Sequence, residues 1–283
     1  MQGTVEDRTV LTLVAIVDRY SIERKIQEPS KDTYLWMIGV FRKYLNRDST
    51  TDDFTDDVVN RFLIWAETHY SQRSVAAFRT NLRMFWNYAY ESHIVDRPPG
   101  RIRRESKPTP MPTAPTFEDI KLAIAACAKI EGVFMGLPAC EFMEALLRAA
   151  WESGLRRGDM RRIRKSDIAA DGSYQRRQNK TGGVKVIHFS RRLLDLLAKI
   201  PHETPFHTYD PSKVYEYLRT ISAVSGVKIT PHRIRRAGAT DVFKTLGEAE
   251  ARNYLGHAPG SQVWRHYVDQ SQLPNQSVQP RTL

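Results

Sequence analysis

The chain has 283 residues, a formal net charge of +11 and a hydrophobic fraction of 41%. This length can bury one large core or two ordinary ones, and the composition excludes a disordered or membrane protein. No apolar run approaches the length of a transmembrane helix, and charged residues occur in the first 20 positions, where a signal peptide would be apolar. We therefore expect a globular protein of the cytoplasm with no membrane partner.

The positive charge is concentrated in the second part of the chain. Residues 117–283 hold 26 of the 43 Lys and Arg residues but only 17 of the 32 acidic residues. This imbalance is typical of a protein with a polyanionic partner, and nucleic acid is the first candidate. An acidic membrane or a ribosome also fits the composition. The two cysteines, Cys127 and Cys140, have no metal-ligand spacing, which indicates buried, inert thiols in a reducing compartment.

Residues 1–94 have the pattern of a small helical bundle. Ser30 is a candidate N-cap of the second helix. The last helix carries Arg73, Arg79 and Arg83, of which the second and third share one face. These arginines are either ordinary surface charge or DNA contacts, and the sequence alone does not decide between the two. Apolar residues at three- and four-residue spacing predict helices over 8–25, 31–46, 56–70 and 73–92.

Residues 95–115 contain six prolines and no helical or strand periodicity. This composition predicts an extended linker between two domains, the second covering residues 116–283. The linker also carries basic side chains that could follow a phosphate backbone. They are Arg101, Arg103, Arg104 and Lys107.

The second domain combines helices with a small sheet. In SDIAADGSYQRRQNKTGGVKVIHFS, turn signals at Asp171-Gly172 and Thr181-Gly182-Gly183 predict a three-stranded antiparallel sheet, with Lys180 at the second turn. The predicted fold class is therefore mainly α with a small antiparallel β-sheet. The predicted helices cover 116–130, 138–153, 190–199, 211–224, 231–246, 248–255 and 260–269.

The segment TPHRIRRAGATDVF concentrates positive charge at the start of a helix. Thr230 suits the N-cap and Pro231 the first helical position. His232, Arg235 and Arg236 then share one face, beside the unpaired N–H groups of the helix start. A histidine and an arginine three residues apart often occur together by chance. The helix start with its several basic side chains nevertheless predicts a phosphate site.

Four segments in a fixed order carry a resemblance to a known family. They are SGLRRGDMRRI with Arg156 and Asp159, NKTGG with Lys180, PHRIRRAGAT with His232 and Arg235, and LGHAPGSQVWRHYV with His257 and Tyr267. Together they resemble the boxes of the tyrosine site-specific recombinases, the phage-integrase-like superfamily. The resemblance covers nearly the whole chain, because residues 1–94 resemble the core-binding domain of that family.

The resemblance implies a DNA strand-exchange enzyme that cleaves and rejoins DNA through a 3′-phosphotyrosyl intermediate. It implies Tyr267 as the nucleophile and no metal, ATP or other cofactor. Arg156 and Arg235 would bind the non-bridging phosphate oxygens, because guanidinium has forked donors and keeps its charge. Lys180 would be the general acid for the leaving 5′-oxygen.

The remaining site residues and the partners also follow from the resemblance. His232 would be the general base or proton carrier, His257 would donate to the phosphate, and Asp159 would orient Arg156 or a histidine. The partner would be double-stranded DNA at core recombination sites, without a separate arm-binding domain. We expect a monomer in solution and a homotetramer on synapsed DNA, associated with the nucleoid. Residues 268–283 could dock in a neighbouring protomer.

Two residue assignments are left open. Lys185 could be the proton donor, although the glycines after Lys180 favour Lys180. The family nucleophile commonly lies nine residues beyond the last histidine, a position occupied here by His266, and Tyr267 lies one residue further. Four other tyrosines precede His257 and so do not match the family position of the nucleophile. They are Tyr209, Tyr215, Tyr217 and Tyr254.

Three other functions are alternatives to an active recombinase. The first is a catalytically silent recombinase-like DNA-binding protein. The second is a type IB topoisomerase-like enzyme, which shares the chemistry. The third is a helix-turn-helix regulator that uses residues 231–246 as its recognition helix.

Overall fold

The structure is a computed structural model that describes residues 10–104, 113–177, 184–207, 210–257 and 260–273. The chain divides into two compact units, Met1–Pro108 and Thr109–Leu283. The division falls inside the proline-rich stretch, and each unit has its own apolar core. Helices dominate both units and the strands are short and antiparallel, which confirms the predicted fold class.

The first unit is built from four helices near the positions that apolar spacing predicts. Their ends differ from the predicted ends by at most five residues. The helices are α1 (Leu13–Glu23), α2 (Glu28–Leu45), α3 (Asp56–His69) and α4 (Gln72–Glu91).

Side-chain caps define where three of these helices begin. The hydroxyl groups of Thr12, Thr55 and Ser71 accept hydrogen bonds from backbone N–H groups in the first turns of α1, α3 and α4. A cap of this kind stabilises a helix by about 1 kcal/mol. Helix α2 begins two residues before Ser30, so the predicted cap is wrong. Pro29 suits the first turn because its missing N–H would have no partner there.

Aromatic side chains fill the core of the first unit. Phe41, Phe62, Phe78 and Phe85 are each at most 1% exposed. Burying a side chain of this size stabilises a fold by roughly 2–3 kcal/mol. The ring centroid of Phe62 lies 4.8 Å from that of Phe41 and 5.7 Å from that of Phe78, so α3 packs between α2 and α4.

Residues 95–104, predicted as the beginning of the linker, lie along α3. The Asp56 carboxylate and the Asn60 side chain bond the backbone of residues 100–103 through four hydrogen bonds of 2.8–3.1 Å. Ile102 is 5% exposed and belongs to the core of the first unit. This stretch therefore packs onto the first unit.

The second unit contains seven helices and two antiparallel hairpins among the described residues. The helices are α5 (Phe117–Ala126), α6 (Ala139–Ser153), α7 (Arg157–Met160), α8 (Arg191–Lys199), α9 (Pro211–Ser225), α10 (Pro231–Leu246) and α11 (Glu248–Leu255). The strands are β1 (Val133–Phe134), β2 (Leu137–Pro138), β3 (Ser173–Arg177) and β4 (Val184–His188). Strand β1 pairs with β2, and β3 pairs with β4.

Helix α6 occupies the centre of the second core. Phe142, Met143, Leu146 and Leu147 are each at most 3% exposed. The helix contacts α8, α10 and β4. These contacts hold α6, and with it the residues at its C-terminal end, in place within the second unit.

The predicted three-stranded sheet is a two-stranded hairpin with one additional bridge. Ser173 pairs with His188 and Tyr174 with Ile187 across β3 and β4, and Ile168 forms only an isolated bridge to Tyr174. Residues 165–167 form a 3₁₀ turn immediately before Ile168. A coiled backbone at this point cannot extend as a third strand.

The predicted helix over 260–269 is also absent from the described residues. The chain forms two 3₁₀ turns instead, Val263–His266 and Gln270–Gln272. Asp269 separates them: its backbone N–H donates to the Thr240 hydroxyl at 2.9 Å, and its carboxylate accepts from the N–H of Ser271 at 3.1 Å. These bonds replace the ones that would continue a helix.

The described residues contain no helix with the length and apolar composition needed to cross a bilayer. They also contain no group of three His, Cys, Asp or Glu side chains that could hold a metal ion. Cys127 and Cys140 are free thiols, the first buried and the second half-buried. Burial raises the pKa of Cys127 to about 12, so this thiol stays protonated at neutral pH.

Candidate active site

Helix α10 begins as the sequence predicts. The Thr230 hydroxyl accepts a hydrogen bond from the Arg233 backbone N–H at 3.2 Å, and Pro231 is the first helical residue. Arg235 is only 2% exposed, whereas His232 is exposed on the first turn. The start of α10 therefore holds a buried arginine and a solvent-accessible histidine.

Arg235 is bound by the C-terminal ends of two other helices. Its guanidinium donates to the carbonyl of Gly154, which follows α6, and to the carbonyl of Leu255, the last residue of α11, at 2.7 Å in the second case. Carbonyl groups at a helix C-terminus favour cations. Burial lowers the pKa of Arg235, and the charge of Arg156 lowers it further. Guanidinium nevertheless keeps its charge at physiological pH, so a fixed cation lies inside the unit.

Tyr267 lies beside Arg235 and two histidines. The centroid of its ring is 5.1 Å from the Arg235 Cζ atom, 5.3 Å from the His232 ring and 5.5 Å from the His257 ring. The phenol is half-buried, whereas His266, nine residues beyond His257, is exposed. The structure thus places Tyr267, and not His266, beside Arg235 and the two histidines.

Helix α7 carries Arg156 and Asp159 near the end of α6. Gly154 ends α6 with a φ of 54°, a left-handed conformation that glycine adopts readily, and Arg156 is the N-cap of α7. Asp159 is 3% exposed, and its backbone N–H donates to the Arg156 carbonyl at 2.8 Å. The charge of Arg156 lowers the pKa of both Arg235 and His257, so it acts on the same small region.

His257 is a neutral base inside this region. It is 8% exposed, and neither ring nitrogen has a hydrogen-bond partner among the described residues. Burial lowers its pKa to about 4, and the charges of Arg235 and Arg156 contribute to the same shift. At neutral pH the ring therefore has one N–H donor and one acceptor nitrogen available. A phosphate oxygen at this place would accept from that N–H.

Lys180 lies outside the described residues, and Lys185 is the hairpin lysine that the structure places. Lys185 is 8% exposed, and its Nζ donates to the backbone carbonyls of Ser153 and Tyr254. Burial lowers its pKa to about 7, with a smaller contribution from the charge of Arg235. The amine therefore points into the protein interior.

The burial of Lys185 could have been found from strand alternation. Along β4, Val184 and Val186 are exposed whereas Lys185 and Ile187 are buried. Successive side chains of a strand point to opposite faces, so placing Ile187 in the core also places Lys185 there. From the sequence alone, Lys185 is only an alternative proton donor.

Tyr254 has a structural position that distinguishes it from Tyr267. Its hydroxyl donates to the Trp151 carbonyl at 2.6 Å, and burial raises its pKa. Its ring packs against Gly154 and Gly238, where an added Cβ would overlap its atoms. Two of the other tyrosines have structural contacts. The Tyr215 hydroxyl accepts a hydrogen bond from the Arg157 guanidinium at 2.9 Å, and Tyr217 is buried in the core. Tyr209 lies outside the described residues.

The first unit has a separate group of arginines. Arg79, Arg103 and Arg104 line a surface pocket formed with side chains of α3 and α4. Burial lowers the pKa of Arg79, and the charges of Arg104 and Arg83 lower it further. Arg103 also pairs with Glu67 at 3.3 Å. Several like charges at one place favour an anionic partner.

The remaining predicted DNA contacts are less closely grouped. Arg73 and Arg101 are exposed on the first unit. Arg236 is half-buried on α10 of the second unit. Lys107 lies outside the described residues.

Comparison with known proteins finds relatives in structure alone. No family model matches the chain, and no curated protein matches its sequence. Forty-three solved chains match in structure. The similarity of this chain to known proteins therefore lies in its fold.

Similar structures include a lambda integrase dimer bound to a COC′ core site, with a TM-score of 0.74 and 19% identity over 94% of this chain and 79% of the other. A lambda integrase tetramer bound to a Holliday junction matches with a TM-score of 0.72 and 20% identity, over 92% of this chain and 81% of the other. The Tn1549 transposon integrase in complex with a circular intermediate DNA has a TM-score of 0.66 and 10% identity, over 91% and 95%. This chain therefore has the fold of the tyrosine recombinases and integrases.

Proposed function

We propose that this chain is a site-specific DNA recombinase that cleaves and rejoins DNA through a 3′-phosphotyrosyl intermediate. The observation that carries the proposal is the position of the Tyr267 ring, within 5.5 Å of Arg235, His232 and His257. A phenol beside a buried guanidinium and two imidazoles is suited to attack a phosphodiester. The fold shared with DNA-bound integrase structures supports the same conclusion.

The cleavage step exchanges one phosphodiester for another. The Tyr267 oxygen attacks the scissile phosphorus, and the bond from phosphorus to the 5′-oxygen breaks. His232 accepts the phenol proton, and Lys180 gives a proton to the leaving 5′-oxygen. Attack of a 5′-hydroxyl on the tyrosyl phosphate reverses the step and rejoins a strand. Both reactions keep the number of phosphate ester bonds constant, so the step needs neither ATP nor water.

The other site residues stabilise the negative charge of the transition state. Arg156 and Arg235 bind the non-bridging oxygens, and fixed donors of this kind are the largest contribution in most phosphoryl transfers. His257 donates an additional hydrogen bond from its neutral ring. Asp159 orients Arg156 from the buried side of α7.

The proposed partner is double-stranded DNA at core recombination sites. We propose a monomer without DNA and a homotetramer on two synapsed sites. The lambda integrase structures, a dimer on a core site and a tetramer on a Holliday junction, support this assembly. The arginine group of the first unit is the proposed contact with the phosphate backbone. The enzyme would act on nucleoid DNA in the cytoplasm.

The test is a covalent-adduct assay. Fragments of the DNA that flanks the gene in its own genome, nicked so that cleavage is trapped, are incubated with wild type, Tyr267→Phe and Tyr215→Phe. We expect an adduct on a denaturing gel with wild type and with Tyr215→Phe, whose tyrosine lies on α9. Tyr267→Phe should bind the same DNA and give no adduct. An adduct of normal yield with Tyr267→Phe would refute the assignment.

The adduct assay, together with a relaxation assay on supercoiled DNA, separates the alternative functions. Specific DNA binding by wild type without an adduct on any nicked site indicates a catalytically silent protein. Relaxation of supercoiled DNA without site preference indicates a topoisomerase. The structure disfavours a helix-turn-helix reader, because Ile234, Arg235, Ala237 and Thr240 of α10 are buried in the unit and do not face a DNA groove.

A further inference from the structure

Two cations from different elements bind the ends of the same two helices. Arg235 of α10 donates to the carbonyls of Gly154 and Leu255. Lys185 of β4 donates to the carbonyls of the two preceding residues, Ser153 and Tyr254. Each cation therefore bridges the end of α6 to the end of α11, and the carbonyls that the two cations bind are adjacent at each end. We call this arrangement the two-cation bridge.

The bridge completes the hydrogen bonding at the end of α11. A helix leaves its last four carbonyl groups without a partner inside the helix. The carbonyls of Arg252 and Asn253 accept from the N–H groups of His257 and Gly256, at 3.0 and 2.9 Å. The next two carbonyls accept from Lys185 and Arg235. Without Lys185, the carbonyl of Tyr254 and the carbonyl of Ser153 at the end of α6 would both lose this donor, which is costly in the interior.

The bridged helix ends lead directly to the proposed phosphate site. Arg156 follows Gly154 by two residues, and His257 follows Leu255 by two residues. A change in the spacing of α6 and α11 would therefore move Arg156 relative to His257. Displacing a catalytic group by about 1 Å can slow a reaction about 100-fold.

We propose that Lys185 is a positioning residue that acts through Arg156 and His257, and that it is not the proton donor of the leaving oxygen. This inference rests on the proposed function, since it needs a phosphate to be positioned. A proton donor must reach the leaving oxygen, whereas the Lys185 Nζ is directed at two interior carbonyls. Its lowered pKa, about 7, is compatible with this role, because a neutral amine still has two N–H donors for the two carbonyls.

The first test measures the bridge without any activity. Amide hydrogen exchange of residues 154–157 and 255–257 is compared in wild type, Lys185→Met and Lys165→Met. Lys165 is a matched control, because its Nζ donates to the Ile200 carbonyl at 2.8 Å elsewhere in the unit. We expect at least tenfold faster exchange at both helix ends in Lys185→Met alone. Unchanged exchange there would refute the bridge, whatever the protein does.

The second test separates positioning from proton donation. Single-turnover cleavage is measured on nicked DNA with oxygen or sulfur at the bridging 5′ position, because a thiolate leaves without a proton. We expect Lys185→Met to be about 100-fold slower on both substrates, with unchanged DNA affinity. Lys185→Arg, which keeps charge and donors, should recover part of the rate. Recovery of the Lys185→Met rate by sulfur would identify Lys185 as the acid and refute the proposal.

The third test asks whether Lys185 acts through Arg156. If it does, adding Lys185→Met to Arg156→Lys should slow cleavage little further, because the positioned group is already lost. Full additivity of the two losses in cleavage rate would indicate a general structural role and overturn the proposal.

If Lys185→Met does not fold, Lys185→Gln, which keeps one amide donor group, replaces it in all three measurements. If wild type forms no adduct on any DNA, the proposed function fails, and hydrogen exchange still decides whether the bridge exists.

Discussion

The Arg235 guanidinium carbon lies 5.1 Å from the centre of the Tyr267 ring, while its nitrogens donate to the carbonyls of Gly154 and Leu255. One buried side chain therefore contacts the candidate nucleophile and holds two helix ends together. Arg156, in contrast, is half-buried at the start of a short helix. The two arginines should differ in what they contribute to stability, even though both are proposed to bind the phosphate.

We expect Arg235→Lys to lose stability and cleavage, and Arg156→Lys to lose cleavage alone. Arg235 reaches its two carbonyls from two separate nitrogens, Nη1 and Nη2. A lysine carries one nitrogen on a shorter side chain, so it cannot occupy both of these positions. A buried carbonyl left without a donor costs about 1–3 kcal/mol. Each variant should cleave at least about 100-fold more slowly, as for the loss of one transition-state donor. Urea unfolding and single-turnover cleavage measure the two effects, and equal stability of the two variants would contradict this assignment.

Gly238→Ala should destabilise the second unit by about 1–3 kcal/mol, as overpacking does. A Cβ at this position would overlap the Tyr254 hydroxyl, which is held by its bond to the Trp151 carbonyl at 2.6 Å. Gly39→Ala is the control, because Gly39 lies inside α2 with nothing within 4 Å of the added Cβ. That change should stabilise the first unit by about 0.5–1 kcal/mol. A Gly238→Ala protein as stable as wild type in urea would show that the Tyr254 ring can move.

The stability of the protein should depend on pH through His257. The folded-state pKa of this ring is about 4, below the ordinary value near 6.5, because the ring is buried beside two arginines. Between these values the unfolded chain binds a proton at His257 and the folded chain does not. The contribution of His257 is therefore complete above about pH 6.5 and decreases as the pH falls toward 4.

His257→Gln isolates this effect, because glutamine does not titrate. We expect the free energy of unfolding of wild type, relative to the variant, to decrease from pH 7 to pH 4 in urea titrations. A pH-independent difference between the two proteins would show that His257 titrates normally in the folded state.

Local sequence signals predicted much of the fold. The Thr230 hydroxyl, Pro231 and the apolar spacing of α1, α3 and α4 describe interactions between residues a few positions apart, and the structure confirms them. The helix predicted over 260–269 was wrong, because its ending depends on the distant bond from Asp269 to Thr240. The prediction of a third strand was wrong, because the chain forms a 3₁₀ turn immediately before Ile168 and is not extended there.

The sequence proposes the members of the candidate site, and it gives no geometry for them. Arg235 and Tyr267 belong to separate sequence segments, and only the structure shows that the Arg235 Cζ atom lies 5.1 Å from the centre of the Tyr267 ring. Tyr254 and Tyr267 are both tyrosines close to His257 in sequence. Burial against Gly154 and Gly238 makes the first structural, and this contact joins positions that are far apart along the chain.

Neighbouring positions and composition are enough to predict four features of this chain. They are the four helices of the first unit, the N-cap of α10, the basic second half and the ordered set of candidate residues. The burial of Arg235 and the direction of Lys185 toward the ends of α6 and α11 are visible only in the packed structure. Those bonds join residues separated by 20 to 81 positions. Which carbonyls such a side chain meets depends on how whole helices pack, and local spacing does not specify that packing.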